Sequence, residues 1–376
     1  MTLEKEVKVF RSVDVIGRDS INSIANNSFF TYEWFKTLET QNSFRTSPIY
    51  LTVYDEGKLV AFAPCFLDPL DTYFHYSPQA RHVSPFLKKM VNFGRKLGFC
   101  QKNMLICYSP FSYRSEILIG KNFEKKHILS LLAEKIDTVC KKERALFSSF
   151  LFVSEFDELL IDNLQNFGYL KSPGVTNFYL DVRWSNFENY LESFNCERRK
   201  KIRREIRKCA ENGVTIEEPD FKDLPAYFSE LTSNIALKYN KTARPSYYSS
   251  LFSKLNEHAK DKIKVFVAKK ENDVVGFSLF LRQGDILNAC STGFEYDALA
   301  KTDFTYYNLC YYAPIRWAIE NGVKTINYMN VGRKVRLYRG CEPENMCSFL
   351  KCHDDLLGSI INNALKPLYS YWSQPF

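Results

Sequence analysis

Glycine is scarce in this sequence. Its 15 copies among 376 residues stand isolated from one another, which leaves no glycine-rich loop of the P-loop kind. Histidine is scarcer still. The five, His75, His82, His127, His258 and His353, fall in no HExxH and in no Ser/His/Asp pattern. The eleven cysteines are odd in number and scattered from Cys65 to Cys352, with no CxxC pair. That distribution argues against a disulfide scaffold and for buried free thiols in a reducing, cytoplasmic setting. Cys347, Cys352 and His353 cluster loosely, but their spacing matches no zinc motif, so no metal is expected. No uninterrupted apolar run approaches the ~20 residues that cross a bilayer. The start, MTLEKEVKVF, carries acids and lacks the apolar core of a signal peptide. No zinc-finger spacing or helix-turn-helix pattern supports sequence-specific DNA reading.

What remains is an ordinary globular composition, 45% hydrophobic and 25% charged, in a chain long enough for two or three domains. Aromatics are heavy, with 31 Phe and 23 Tyr. They belong to cores or line clefts for bulky ligands.

The charge is concentrated. Of a formal net +8, the stretch ERRKKIRREIRK (197–208) supplies +6, from eight basic and two acidic residues. Ile202 and Ile206 are four apart, the spacing of a single apolar stripe on a helix, and Asn212-Gly213 marks its end. Arg198, Arg199, Lys200, Arg203 and Arg204 either form a solvated helix face or bind the anionic handle of a large partner.

The chain repeats itself. IYLTVYDEGKLVAFAPCFL (49–67) reads as strand, turn, strand, and KVFVAKKENDVVGFSLFL (264–281) is the same device. A helical segment precedes each, 32–40 and 247–259. Residues 127–143 form an amphipathic helix, 145–153 a buried strand, 306–322 a helix closed by Asn-Gly, and 324–330 a strand. This alternation predicts an α/β fold of two related units. The boundary is expected near 174/175, the second unit extending to 352, and an apolar-periodic helix follows in a tail of 353–376.

Several blocks resemble one family. FENYLESFNCERRKKIRREIRKCAENGVTIEE (187–218) is similar to the start of the second half of Fem-type, peptidoglycan-biosynthesis-like acyltransferases of the GNAT superfamily. STGFEYDALAKTDFTYYNLCYYAPIRWAIENGVKTINYMNVGRKVRLYRGCEP (291–343) resembles that family's closing block. SFFTYEWFKTLE (28–39), the Gly57-Lys58-Leu59-Val60-Ala61 hairpin and Pro110-Phe111 agree. The resemblance implies two tandem GNAT-like domains with mixed sheets and a cleft. It also implies an enzyme that forms an amide between an amine and an activated acyl group. The donor, a co-substrate rather than a bound cofactor, would be an aminoacyl-tRNA, an acyl-CoA or an acyl carrier protein. The acceptor would be an amine-bearing small molecule or peptide.

Two departures stand out. Acetyl-CoA enzymes of the superfamily hold the pyrophosphate in a glycine-rich loop, whereas GFEYDALAKTDFTYYN has no glycine after Gly293. Many relatives have Lys three residues before the Arg-Gly, where this sequence has Arg336 before Arg339-Gly340. Arginine keeps the charge but cannot serve as a base.

Glu295 and Asp297, following a sheet strand, are candidates for deprotonating the amine. Tyr307 is a candidate for orienting a carbonyl or leaving group, although Tyr306, Tyr307, Tyr311 and Tyr312 also suit core packing. Arg333, Lys334, Arg336 and Arg339 are candidate anion ligands. Lys238, Lys241 and Arg244 form a third basic loop with interleaved tyrosines, a composition suited to stacking on bases. The competing reading is a non-catalytic protein that binds RNA or an anionic surface through 197–208.

Overall fold

The computed structural model describes residues 5–41, 47–69, 71–73, 103–220, 223–330 and 332–354, with single positions at 85, 89, 92, 96 and 359. The expected tail helix, His75 and His82 lie outside them.

The chain opens with β1 (Glu6–Phe10), α1 (Val13–Ile16), α2 (Arg18–Ile24) and α3 (Tyr32–Thr40). The first hairpin, β2 (Ser47–Asp55) and β3 (Lys58–Pro69), leads to β4 (Asn103–Cys107) and β5 (Leu118–Ile119). Next come α4 (Lys125–Glu143), β6 (Phe147–Ser154), α5 (Glu158–Asn166) and β7 (Leu170–Asp181). Then follow α6 (Phe187–Glu192), α7 (Cys196–Glu211), β8 (Val214–Glu217), α8 (Phe228–Lys238) and α9 (Pro245–His258). The second hairpin, β9 (Ile263–Lys270) and β10 (Asp273–Gln283), leads to β11 (Ile286–Phe294). The chain continues through α10 (Thr305–Tyr307), a π-helical turn (Asn308–Tyr312), α11 (Ala313–Glu320), β12 (Thr325–Met329), α12 (Arg333–Leu337) and β13 (Glu342–Cys352).

Two compact units result, neither contiguous in sequence. One comprises 1–25, 45–177 and 343–376, the other 26–44 and 178–342. They share a plan. In the first, β1, β2, β3 and β4 pair antiparallel in that order, and α4 carries the chain to β6, parallel to β4. In the second, β8, β9, β10 and β11 pair antiparallel, and α10–α11 carry it to β12, parallel to β11. Both parallel pairings are brief, Leu105–Cys107 with Ser148–Phe150 and Ile286–Asn288 with Thr325–Asn327. Beyond them the strands part.

Both hairpins turn on two residues with positive φ, Glu56 and Gly57 (49° and 77°) and Glu271 and Asn272 (52° and 71°). That backbone matches the strand twist, as in type I′ turns.

One sequence change of unit falls at Asn177/Phe178. Two segments depart from sequence order. β13 lies in the first unit, antiparallel to β6, and the last residues of β7 lie in the second, antiparallel to β12. Each half's final strand thus completes the other unit's sheet. The helix before the first hairpin, α3, also belongs to the second unit. Its Thr37 Oγ1 donates to Lys254 O at 3.4 Å, and Gln41 Nε2 donates to Tyr247 O at 3.1 Å, both on α9. Trp34, Phe35 and Leu38 bury its apolar stripe.

The core of the first unit packs Ile128, Leu132, Ile136 and Val139 of α4 and Leu160 and Leu164 of α5 against β2, β3 and β6. That of the second packs Ile202 of α7 and Ile315 of α11 with Phe266, Phe280 and Leu309. The expected helix over 306–322 is not regular. Pro314 has no N–H and crowds the carbonyl of Cys310. The π turn accommodates it, with Ala313 N donating to Asn308 O, and leaves Tyr311 and Tyr312 both buried.

Candidate functional site

The basic helix α7 begins as its sequence dictates. Asn195 Oδ1 accepts from Arg198 N at 2.9 Å, and Glu197 complements the first turn. It ends at Asn212, with Gly213 at φ 74°. Ile202, Glu205 and Cys209 face inward. The buried stripe therefore contains an acid, and that acid fixes the helix.

Glu205 is 2% exposed, as is Arg339. Arg339 Nη2 donates to Glu205 Oε2 at 2.7 Å, and Tyr312 Oη donates to the same oxygen. The guanidinium lies 3.9 Å from the ring centre of Tyr307 and 5.2 Å from those of Tyr311 and Tyr312. Tyr190 Oη donates to Arg339 O at 3.0 Å, and Asn308 Nδ2 to Glu205 O at 3.2 Å. Burial raises the Tyr312 phenol above its ordinary pKa and keeps it a donor. Burial alone would lower the Arg339 guanidinium, but Tyr312 and Glu205 outweigh it and the net shift is upward. Arg339 is thus a core cation committed to Glu205, and it offers no surface to a phosphate.

Arg336, 8% exposed, is also turned inward, and its Nη1 donates to Met329 O at 2.7 Å. Met329 sits at φ 63°, where the β12–β7 register slips. A bulky residue in the left-handed region is strained and needs its surroundings to hold it. Phe152 on β6 repeats the feature in the first unit, with φ 62° and its carbonyl accepting from Ser115 N.

The remaining cations divide into two groups. Arg198 donates to Leu337 O at 2.7 Å and lies over Phe194 and Tyr338, Arg199 donates to Phe194 O, and Arg203 pairs with Glu188. Arg207 and Lys208 meet Glu211. The side chains of Lys200, Arg204, Arg333 and Lys334 are exposed and make no ion pair or hydrogen bond among the described residues. Lys201 rests 4.7 Å over the Tyr338 ring. Because Tyr338, next to α12, is shared by Arg198 and Lys201, α7 and α12 form one cationic surface.

Glu295 and Asp297 follow β11. Glu295 N donates to Val275 O at 2.9 Å, and Asn234 Nδ2 reaches Glu295 Oε2 at 3.4 Å, while Asp297 is exposed. Tyr307, half-buried, covers Arg339 and stacks on Phe304. No hydrogen bond joins Tyr307 to either carboxylate among the described residues. In the loop that would carry a pyrophosphate clamp, the buried Asp303 carboxylate accepts from Ala300 N and Asn212 Nδ2, each at 3.0 Å, and pairs with Lys270 at 3.2 Å. A carboxylate occupies these donors and repels an anion. α8 packs directly on β11, because a Cβ on Gly293 would meet Leu231 and Thr232 backbone at 2.6 Å.

Sequence reasoning missed Glu205, which its spacing from Ile202 and Cys209 on one face could have revealed. It also missed a polar cluster in the first unit. His353 Nε2 lies 2.7 Å from Ser148 Oγ, which bonds Tyr169 Oη at 2.7 Å. His353 Nδ1 lies 3.5 Å from Asp137, which Lys351 holds at 2.8 Å. Ser148 is 1% exposed, so no substrate carbonyl reaches it, and the cluster is structural. Cys347 and Cys352 turn to Glu155 and Asp354 O instead. No group of side chains among the described residues suits a metal ion, and no helix of the described residues is long and apolar enough to cross a membrane.

Solved structures with the same architecture include FemX, at TM-score 0.60 and 12% identity over 96% of this chain and all of that one. The C-terminal domain of a putative lysylphosphatidylglycerol synthetase from Agrobacterium fabrum matches at TM-score 0.55 and 11% identity, covering 96% and 99% of the two chains. A tandem GNAT protein from the clavulanic acid pathway matches at 0.52 and 10%, covering 93% and 99%. At such identities the likeness shows the fold, a tandem GNAT one. No curated protein matches. A family model described as peptidoglycan biosynthesis/recognition matches residues 12–370, nearly the whole chain, so this protein belongs to the FemAB-like family.

Proposed function

We propose that the protein is an amide-forming transferase that takes an aminoacyl group from an aminoacyl-tRNA and joins it to the amine of a peptidoglycan-precursor peptide. Family and fold support an acyl or aminoacyl transferase; the donor and acceptor are our reading. The observation that carries it is the surface of Lys200, Lys201, Arg204, Arg333 and Lys334, five cations that meet no carboxylate among the described residues. Such a surface suits a polyphosphate backbone. Asp303, which accepts from the Ala300 amide of its own loop, weighs against a coenzyme A pyrophosphate there.

In the reaction the amine nitrogen attacks the ester carbonyl. A C–N bond forms, the C–O bond to the tRNA ribose breaks, the amine gives up a proton and the ribose oxygen takes one. Glu295, with Asp297 beside it, would receive the amine proton, and Tyr307 would orient the leaving oxygen. Holding both reactants in attacking geometry supplies much of the rate. The test is a transfer assay with charged tRNA pools and with acyl-CoA donors against amine-bearing peptides. Transfer from charged tRNA that Lys200→Glu with Arg204→Glu suppresses supports the reading. Transfer from acyl-CoA alone, or from no donor by folded protein, overturns it.

A further inference from the structure

The end of α8 presents a feature that the transfer reaction does not use. Leu237 is 57% exposed and Tyr239 64% exposed. They are not displayed by a slack loop. Lys241 N donates to Ala236 O at 2.8 Å, Asn240 N donates to Leu237 O at 3.0 Å, and Asn240 takes φ 53°. This is a Schellman stop, in which an apolar residue two beyond the helix end ordinarily packs back on the last turn. Here that position is Lys241, so the apolar side chains of the last turn stay uncovered.

Around them positive charge predominates. Lys238, Lys241 and Arg244 are exposed. Lys238 Nζ lies 3.8 Å over the ring of Tyr296, which packs on the buried Phe294, itself against the 40%-exposed Tyr306. The nearby acids are Glu295, engaged by Asn234, and Asp297. No acid occurs between Glu230 and Glu257.

We infer that residues 237–244 are a docking element for an anionic lipid surface, with Leu237 and Tyr239 entering the headgroup boundary and Lys238, Lys241 and Arg244 meeting lipid phosphates. Charge complementarity names the surface: each cation near an anionic leaflet strengthens binding about fivefold, and an exposed aliphatic and a phenol gain from the interface. RNA would use the cations and stack on the tyrosine, but would gain nothing from Leu237. The inference goes beyond the transferase reading and does not depend on it.

The experiment is co-sedimentation of the full chain with phosphatidylglycerol/phosphatidylcholine vesicles and with phosphatidylcholine vesicles, at low and physiological salt. Bulk tRNA binding is measured in parallel. Binding to the anionic vesicles alone is expected, weakened at least tenfold by Lys241→Glu with Arg244→Glu. Leu237→Ser with Tyr239→Ser should weaken it severalfold while leaving tRNA binding unchanged. Thermal melting confirms that these surface variants fold. Absence of vesicle binding, vesicle binding indifferent to the Leu237/Tyr239 pair, or binding lost only with Lys200→Glu and Arg204→Glu overturns the inference. So does an effect of the Leu237/Tyr239 pair on tRNA rather than vesicles. Failure of the transfer assay leaves the vesicle result untouched, so the two readings fail separately.

Discussion

The two units share strand order, hairpin type, the short parallel pairing and even a strained bulky residue at the same place, Phe152 in one and Met329 in the other. They differ in how their interiors handle polarity. The first unit keeps its ion pairs, Lys351 with Asp137 and Arg114 with Glu344, partly exposed beside the buried Ser148, Tyr169 and His353. The second closes on an ion pair, Glu205 with Arg339, wrapped in tyrosines. The difference teaches that a duplicated scaffold preserves backbone geometry while its buried charge is free to diverge. Only the second unit uses buried charge to orient a cation-bearing helix.

Breaking the ion pair is the strongest test. Glu205→Gln leaves Arg339 buried without a counter-charge, and chemical denaturation should show a loss of roughly 3–5 kcal/mol. Glu205→Leu combined with Arg339→Met should cost much less, because the pair carries a desolvation penalty that its removal relieves.

The first unit offers two titrating groups of opposite sense. Burial lowers His353 to about 4 from 6.5, with the Asp137 carboxylate opposing the shift. A depressed imidazole stabilises the fold above pH 6.5, and that contribution is lost as pH falls toward 4. The loss is about 3 kcal/mol. His353→Gln should flatten the stability profile in that window. Burial raises Asp68 from 3.8 to about 6, against the hydrogen bond from Tyr108 Oη. Here the protonated form is favoured, so the contribution is present below pH 3.8 and lost as pH rises through 6. Asp68→Asn should stabilise the protein by about 1–3 kcal/mol at pH 7 and by little at pH 3.5.

Lys200→Glu with Arg204→Glu should reduce tRNA affinity at least tenfold and flatten its salt dependence by roughly two ions, without altering melting. The smallest effect concerns the helix start: Asn195→Ala removes the cap on Arg198 N and should cost about 1 kcal/mol.

Local features were legible in the sequence. The two hairpins, with turns read at 55–57 and 271–273, α4, and the Asn-Gly stop of α7 followed from turn chemistry and periodicity. The strand exchange was not, because nothing in β7 or β13 encodes which neighbour each will find. Nor was the inward fate of Arg336, held by the Met329 carbonyl, or of Arg339: a basic motif reads as surface unless its buried acid, here Glu205 on a helix more than a hundred residues before Arg339, is recognised. Lys200, Arg204, Arg333 and Lys334 are exposed, whereas Arg198 and Arg199 are drawn into carbonyl contacts that spacing does not announce.

The interchange of β7 and β13 bears on synthesis. β6 is complete once residue 154 leaves the ribosome, but its partner begins at Glu342. At 5–20 residues per second that is a wait on the order of tens of seconds. During it the amino-terminal half carries a raw sheet border, a template for foreign strands. A truncation that stops short of β13 therefore creates not a smaller enzyme but a permanently unfinished one, prone to associate with its own kind.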